Sequence, residues 1–217
     1  MVTIIAITGI DGTGKTTSSK SLKIALEDQG YKVDYKHQFH SVFATIINSI
    51  KGLRLRFLSA GSSSTNASLA LPSNPRSRFM KIKKYLAYCY LLLKAVQTNF
   101  HYISSKKIII YDRFMFDDFV RFQQRYQLSA NFLGVIDRLV LRPDILIMLS
   151  GDAKKTYERQ VDVDSSYEGY MEKLQIHNRV MSGLKARGYN TVSIDTIKSP
   201  TADVVSTIVV AAEKVFR

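Results

Sequence analysis

Residues 9–16 read Gly9-Ile10-Asp11-Gly12-Thr13-Gly14-Lys15-Thr16 and follow the pattern G-x-x-x-x-G-K-[ST]. The glycines allow successive backbone N–H groups to turn inward around phosphate oxygens. A lysine at this position can reach the β- and γ-phosphates of ATP, and the threonine hydroxyl can hold Mg²⁺. The stretch therefore predicts a phosphate-binding loop that takes ATP and Mg²⁺.

The segments on either side of this loop have the secondary structure that the motif requires. Residues 2–8 are apolar and β-branched, which is typical of a short buried strand. Residues 16–29 begin with Thr, Ser and Lys and place Leu22, Ala25 and Leu26 on one face, which predicts a helix. The helix N-terminus adds a partial positive charge where the phosphates would bind.

Strands and helices alternate along the rest of the chain. Further strands are predicted at 31–37, 108–111, 145–149 and 189–195, and those at 108–111 and 145–149 should be buried. Helices are predicted at 41–50, 77–104, 117–126, 129–140, 153–160, 168–186 and 201–216. This alternation predicts an α/β fold of the P-loop NTPase class, in which helices cover both faces of a parallel five-stranded sheet. We expect a single kinase domain over residues 1–217.

Two segments lack a regular pattern. Residues 61–78 are rich in Ser, Asn, Gly and Pro, which predicts a long surface loop within a basic insertion at about 51–84. Residues 161–166 are polar and acidic, and we interpret the surrounding segment at about 153–168 as a short lid.

The positive charge of the chain is unevenly distributed. The net charge is +13, yet no Asp or Glu occurs between Asp34 and Asp112, where twelve Lys and Arg residues lie. Such a segment presents a positive field to an anionic partner, which can be a phosphorylated substrate, nucleic acid or a membrane surface. A solvated basic face without a partner is the alternative.

The single cysteine, Cys89, excludes an intramolecular disulfide and a cysteine-based metal site. It lies in an apolar run, so we expect it to contribute to packing. The longest apolar run, residues 85–93, is too short to span a bilayer. The chain enters a predicted strand at once, so we expect no signal peptide and a reducing, cytoplasmic setting.

A second group of functional residues is predicted at the end of the third strand, where Asp112 and Arg113 follow Ile108-Ile109-Ile110-Tyr111. Active sites of open parallel sheets lie at the carboxyl ends of the strands, so these side chains should reach the edge that carries the glycine loop. Asp112 can orient Mg²⁺ through water, with Thr16 as the direct ligand. Arg113 can clamp a phosphate and stabilise the charge of a transferring phosphoryl group.

These motifs resemble those of thymidylate kinases. Gly9 to Thr17 is similar to their G-x-D-G-x-G-K-T-T loop, and Tyr111-Asp112-Arg113-Phe114 resembles their D-R-Y motif. Residues 143–149, Pro-Asp-Ile-Leu-Ile-Met-Leu, resemble their P-D-L strand. The resemblance implies an ATP- and Mg²⁺-dependent nucleoside-monophosphate kinase, with dTMP as the favoured acceptor.

The resemblance also implies roles for individual residues. Lys15, Arg113 and Asp11 would be catalytic, with Asp11 towards the acceptor. Thr17 would extend the ATP-binding loop formed by Gly9, Ile10, Asp11, Gly12, Thr13, Gly14, Lys15 and Thr16. Arg159 would be the lid arginine, and Ile197 would line the adenine with its neighbours Thr196 and Lys198.

The chain departs from the family pattern on the acceptor side. The R-E-P segment after the second strand is replaced by Lys36-His37-Gln38-Phe39-His40, and Lys94 is the nearest basic residue to an expected arginine on the long helix. Asp117 and Asp118 can assist at the acceptor, or lie at a solvated helix N-terminus. The aromatic residues Phe114, Phe116, Phe119 and Phe122 fit ordinary helix core better than base stacking.

The sequence leaves two alternatives to the transfer of phosphate to dTMP. The acceptor can be a different phosphorylated or hydroxyl compound. Alternatively, ATP can switch the basic segment at 36–107 onto nucleic acid or an anionic surface, although Arg113 replaces the glutamate that ATP-hydrolysing machines commonly carry there. Finally, the apolar helix around residues 85–93 predicts a homodimer.

Overall fold

A computed structural model describes residues 3–37, 75–105, 107–160, 166–199 and 201–216. The helix predicted at 41–50 lies outside these residues. The same holds for residues 61–74 of the predicted loop and for 161–165 of the predicted lid.

Five parallel strands form one sheet in the order β2-β3-β1-β4-β5. The strands are β1 (Thr3–Gly9), β2 (Val33–His37), β3 (Ile108–Asp112), β4 (Ile145–Ser150) and β5 (Thr191–Asp195). Every residue of β1 and β3 is buried, as their β-branched, apolar composition predicts. The predicted parallel sheet is confirmed.

Seven helices occur in the described part of the chain. They are α1 (Lys15–Asp28), α2 (Pro75–Ser104), α3 (Met115–Tyr126), α4 (Phe132–Leu139), α5 (Ala153–Glu158), α6 (Tyr167–Ala186) and α7 (Thr201–Phe216). Their order between the strands confirms the predicted α/β class.

Alternating residues of the central strand supply two hydrophobic cores, one on each face of the sheet. Ile4 and Ala6 belong to a core shared with α2, α3, α4 and α6. Ile5 and Ile7 belong to a second core, which Leu22 of α1 and Ile208 of α7 complete. Successive side chains of a strand point to opposite faces, so one buried strand serves both layers.

Helix α2 begins two residues before its predicted start. Pro75 is its first residue, a position that proline favours because its missing N–H would have no intrahelical partner. Residues 75–84 of the predicted basic insertion are therefore helical. The expectation that Cys89 is packed is wrong: it is exposed on α2, because the apolar run that contains it is not buried all round.

Strand register brings the predicted functional segments to one edge of the sheet. Ile7 pairs with Asp112, and Gly9 pairs with Leu149. The glycine loop, Arg113 and the segment after β4 therefore leave the sheet side by side.

Candidate active site

The glycine loop after β1 is tightly packed at two of its glycines. A Cβ on Gly9 would lie 2.6 Å from the carbonyl oxygen of Leu149, and one on Gly12 would lie 2.0 Å from that of Thr156. Gly12 also has a φ of 86°, which other residues rarely adopt. Around Gly14, by contrast, the described residues leave open space. The loop is thus fixed against β4 and α5 and open at its outer turn.

A cavity of about 390 Å³ adjoins the loop and the N-terminus of α1. Its lining brings together most of the residues predicted to bind the donor nucleotide, which are Gly12, Thr13, Gly14, Lys15, Thr16, Thr17 and Arg159, and it also includes Arg113, which was predicted to be catalytic. Ser18, Thr196, Ser199 and Val204 complete the lining. The volume lies within the range of about 300–1,000 Å³ that is usual for small-molecule sites.

The ammonium group of Lys15 is buried against the loop. It donates a 2.6 Å hydrogen bond to the carbonyl oxygen of Ile10 and lies 3.6 Å from Oδ1 of Asp11. Burial lowers the pKa of Lys15 to about 8, although the Asp11 carboxylate partly opposes this shift. Oxygen atoms of the loop therefore hold the cation where phosphate oxygens would meet it.

Asp11 is the centre of a charge cluster. Its Oδ1 lies 3.0 Å from Nη1 of Arg113, and its Oδ2 accepts a hydrogen bond from Nζ of Lys173. Burial alone would raise the pKa of the Asp11 carboxyl, but Lys15, Lys173 and Arg113 outweigh burial and hold this pKa well below its ordinary value. Asp11 is thus an ionised carboxylate among three cations.

Arg113 adopts an unusual backbone conformation. Its φ is 70°, in the left-handed region, and its N–H donates a 3.1 Å hydrogen bond to the carbonyl oxygen of Ile7. Its side chain lines the large cavity and also a second, smaller cavity of about 10 Å³. Arg113 therefore lies at the boundary between the two cavities.

The second cavity lies on the other side of Asp11. It is lined by Gly9, Ile10, Asp11, Arg113, Asp117, Val120, Arg121, Lys173 and His177. Gly9, Ile10 and Asp11 were predicted to bind ATP, but in this structure they line the small cavity and not the large one. Asp11 thus faces the smaller cavity.

Asp117 fixes the floor of this second cavity. Its Oδ1 accepts hydrogen bonds from the Thr8 hydroxyl at 3.0 Å and from the Gly9 N–H at 3.4 Å, and its Oδ2 accepts one from the Phe114 N–H at 3.0 Å. The last contact caps the N-terminus of α3. Nε2 of His177 lies 3.4 Å from the Thr8 hydroxyl, and burial lowers the pKa of His177.

Asp112 does not line either cavity. It is fully buried, and its Oδ2 accepts a hydrogen bond from the Tyr35 hydroxyl at 2.8 Å and lies 2.7 Å from Nδ1 of His37. Its other oxygen, Oδ1, has no hydrogen-bond partner within the described residues. Asp112 is therefore not positioned to bind a metal ion in the cavity directly.

The residues present nevertheless fit Mg²⁺. Mg²⁺ takes hard oxygen ligands and is usually held by one or two protein groups together with water and substrate phosphates. The Thr16 hydroxyl lines the large cavity, and the unpartnered Oδ1 of Asp112 is a buried acceptor that a water of the metal's shell would satisfy. No cluster of three or more His, Cys, Asp or Glu side chains occurs in the described residues, so phosphates would have to supply ligands.

The predicted adenine-binding turn is only partly placed at the cavity. Thr196 lines it, whereas the side chain of Ile197 packs towards Gly151, where a Cβ would lie 2.7 Å from Cγ1 of Ile197. The Ile197 N–H donates a 2.9 Å hydrogen bond to Oδ1 of Asp195, which turns the backbone after β5. Arg159, at the end of α5, reaches the cavity as predicted.

Lys94 is not available on the acceptor side. It is buried and forms an ion pair with the fully buried Asp118. Of the two alternatives for these residues, a solvated helix N-terminus is wrong for Asp118, whereas Asp117 is half-buried and caps the N-terminus of α3. The four phenylalanines at 114, 116, 119 and 122 are buried, which confirms that they belong to the core.

The described part of the basic segment is partly neutralised from within the protein. Lys94 faces Asp118, and Lys36 lies 3.1 Å from Asp34. In the part of the chain that the structure describes, none of the helices has the length and hydropathy needed to cross a bilayer.

Comparison with known proteins relates the chain to nucleotide kinases, although no protein-family model matches it. It is 28% identical to the probable thymidylate kinase of Pyrococcus horikoshii over 156 residues, which is 71% of this chain and 68% of that protein. The probable thymidylate kinases of Thermococcus gammatolerans and Pyrococcus abyssi are 25% and 26% identical, with the same coverage.

Solved structures support the fold. The chain is similar to deoxyadenosine kinase from M. mycoides with bound dCTP, with a TM-score of 0.58, 15% identity and coverage of 97% of this chain and 99% of that chain. The same enzyme with products dCMP and a flexible dCDP bound gives a TM-score of 0.56 and 14% identity, over 98% and 99% of the two chains. At these identities the likeness shows the P-loop α/β fold alone. Together with the curated relatives and the glycine-loop geometry, this fold supports a divergent thymidylate kinase-like nucleotide kinase.

Proposed function

We propose that this protein transfers the γ-phosphoryl group of ATP to the phosphate of a nucleoside monophosphate, with dTMP as the acceptor. The observation that carries the proposal is the position of Arg113, which lines both cavities and pairs with Asp11 between them. A guanidinium at this boundary would contact the phosphoryl group as it passes from donor to acceptor. Phosphoryl transfer depends on such positioning and on charge neutralisation, with little covalent help from the protein.

The large cavity would hold ATP. Its glycine loop and the N-terminus of α1 offer backbone N–H groups to the phosphates, and Lys15 would leave the Ile10 carbonyl to bind them. Thr16 would hold Mg²⁺ directly and Asp112 through water. Bound Mg²⁺ would neutralise charge on the β- and γ-phosphates. Arg159, at the end of α5, would lie over the nucleotide and help to exclude water.

The residues of the second cavity suit a phosphate acceptor better than a hydroxyl acceptor, and the cavity, at about 10 Å³ no larger than a water molecule, would have to open to admit it. A hydroxyl acceptor benefits from a general base with a pKa near the working pH. Cations hold the pKa of Asp11 well below that range, and both oxygens of Asp117 already accept hydrogen bonds. A phosphate needs cations instead, and the cavity contains Arg113, Arg121 and Lys173.

The choice of dTMP rests on the curated relatives, which are named probable thymidylate kinases. Their identity to this chain is 25–28%. The deoxyadenosine kinase neighbours bear on the fold, and make the hydroxyl of a deoxynucleoside the competing acceptor to test.

The test is a panel of acceptors with ATP and Mg²⁺. Five monophosphates (dTMP, dUMP, dCMP, dAMP and dGMP) would be compared with the matching nucleosides, with ADP and the phosphorylated product both quantified. We expect dTDP from dTMP and no monophosphate from thymidine. The Lys15→Met variant controls for contaminating kinases. Phosphorylation of nucleosides but not of monophosphates would refute the proposal, and efficient use of another monophosphate would refute only the choice of dTMP.

We also propose a homodimer that forms through α2. This helix exposes a stripe of residues at intervals of three or four positions: Ile82, Tyr85, Cys89, Leu93, Val96, Phe100 and Ile103. The opposite side of the same helix, including Ala87, Leu91 and Ala95, is buried in the core. A stripe with a period near 3.5 fits pairing with a second helix along its length.

A further inference from the structure

We infer that Lys173 of α6 is a further phosphate-binding residue, which Asp11 holds at the acceptor side until the acceptor phosphate arrives. The inference rests on the proposed transfer to a monophosphate and names a residue that no motif in the sequence indicates. It assigns Lys173 to the acceptor and not to ATP.

The second cavity carries more positive than negative side chains. Its lining includes two carboxylates, Asp11 and Asp117, and three cations, Arg113, Arg121 and Lys173. Burial lowers the pKa of His177, which favours its neutral form. With Lys15 directed to ATP, one positive charge in this cavity is left uncompensated, which favours an anionic acceptor group.

Lys173 approaches Asp11 from a different side than the other two cations around this carboxylate. Its ammonium binds Oδ2 of Asp11, on the opposite oxygen from the one that Arg113 and Lys15 approach. It lines the second cavity, and it does not line the large cavity. Lysine is a compact point charge with three donors, so it can bind a phosphate without leaving the site.

The helix that carries Lys173 is anchored at two points near this lysine. One helical turn before it, the buried hydroxyl of Tyr170 lies 2.5 Å from that of Thr156 on α5. The carbonyl of Thr156 in turn packs against Gly12 of the loop. At the start of α6, the Ser166 hydroxyl accepts a hydrogen bond from the Gly169 N–H and caps the helix. Lys173 therefore enters the cavity from a helix anchored to both α5 and the loop.

The chemical consequence is a division of labour among the three cations around Asp11. Lys15 is directed to the ATP phosphates and Arg113 to the group in transfer. Lys173 is directed to the acceptor phosphate. In this structure the Asp11 carboxylate occupies the place of that phosphate beside the Lys173 ammonium. When the acceptor binds, its phosphate oxygens would replace Asp11 as the partner of Lys173. Because Asp11 already holds the side chain of Lys173 in place, binding would not have to order this side chain.

The test measures how well the protein distinguishes a phosphorylated acceptor from its nucleoside. Dissociation constants for dTMP and thymidine would be determined by calorimetry without ATP, for the wild type, Lys173→Met, Lys173→Arg and Lys185→Met. Lys185 is an exposed lysine in the last turn of the same helix and serves as the matched control. We expect Lys173→Met to weaken dTMP binding about tenfold or more and to leave thymidine binding within about twofold. The Kd for ATP should change by less than about twofold, and Lys173→Arg should retain most of the preference.

The outcomes separate this inference from the proposed function. If the wild type does not prefer dTMP over thymidine and phosphorylates no monophosphate, the proposed function fails. If the wild type shows the preference and Lys173→Met keeps it, the role of Lys173 fails alone. Equal weakening of dTMP and thymidine, or loss of ATP binding, would show a structural or donor-side role and also overturn the inference. Thermal unfolding of each variant confirms that it is folded.

Discussion

The guanidinium of Arg113 lies 3.0 Å from the carboxylate of Asp11, which joins the end of β3 to the glycine loop. This pair separates the large cavity from the small one, and Arg113 is exposed to both. Its backbone φ of 70° is unfavourable for a residue with a Cβ by about 1–2 kcal/mol. Backbone strain of this kind is found at functional positions, where the surrounding structure enforces it.

Replacing Arg113 with lysine should lower kcat about a hundredfold and leave the Kd for ATP almost unchanged. A guanidinium presents a planar fork that can hold two oxygens, whereas ammonium is a single point charge. Charge spreads over the phosphoryl oxygens only as transfer proceeds, so the fork should matter most in the transition state. Steady-state kinetics with separate ATP-binding measurements would check this. Weaker ATP binding with normal kcat would mean that Arg113 is a ground-state anchor.

Replacing Arg113 with glycine should give a more stable protein than replacing it with alanine, by about 1 kcal/mol. Glycine adopts a positive φ without steric cost, and both variants lose the same side-chain contacts. Gln127, with a φ of 52° at the end of α3, is the matched control away from the site. Its glycine variant should likewise exceed its alanine variant in stability, with activity retained in both. Urea unfolding would measure the stability of all four variants. If the two Arg113 variants were equally stable, the backbone strain assigned to Arg113 would be contradicted.

Lys15 should make the free energy of unfolding depend on pH above neutrality. Burial lowers the pKa of Lys15 from 10.5 to about 8 in the folded protein. The carboxylates of Asp11 and Asp117 oppose this shift, whereas the positive charges of Arg113 and Lys173 add to it. Between these values the unfolded state binds more protons, so stability rises with pH. Relative to Lys15→Met, the wild type should gain about 2 kcal/mol between pH 7.5 and 9.5.

The measurement is chemical unfolding of both proteins across this pH range without nucleotide. Lys185→Met, which lacks an exposed lysine of α6, should follow the wild type. Phosphate stabilises the charged ammonium, so ATP binding by the wild type should also weaken as the pH rises above 8. A constant stability difference between wild type and Lys15→Met would show that Lys15 is not desolvated.

The donor half of the site could be predicted from the sequence because most of its residues lie close together along the chain. Gly12 to Thr17 are contiguous, and their backbone geometry follows from the glycines and the start of a helix. Arg113 directly follows a strand whose apolar, β-branched residues fix its place in the sheet. Parallel pairing then sets the edge at which it emerges, as the register of Ile7 with Asp112 shows.

The acceptor half could not be predicted in this way because its contacts are distant in sequence. Lys173 and Asp11 are 162 residues apart, and neither Lys173 nor His177 belongs to a local motif. For Lys94 and Asp118 the sequence does contain a signal. Each is a charge within an apolar helical stretch, and a charge buried there requires an opposite charge. Matching such isolated charges between helices would have predicted their pairing.

The exposed stripe on α2 is long and apolar, so it predicts the oligomeric state of the protein. From Ile82 to Ile103 it extends about 30 Å along the helix, at 1.5 Å per residue. Leu93 is 70% exposed and Phe100 is 69% exposed, near the middle and the end of the stripe. Pairing two such helices would bury both side chains in each subunit, and a glutamate at either position would then be desolvated without a partner.

We therefore expect a dimer in wild-type protein and monomers in Leu93→Glu and Phe100→Glu, measured by light scattering and sedimentation at micromolar concentration. The control is Ile24→Glu, which places the same charge at an exposed apolar position of α1, 59% exposed and outside the stripe. It should remain dimeric. Leu93 and Ile24 are largely exposed within one subunit, so folding should be preserved in their variants, and thermal unfolding would check it for all three. A monomeric wild type would exclude the dimer, and dimeric Leu93→Glu and Phe100→Glu variants would place the interface on another surface.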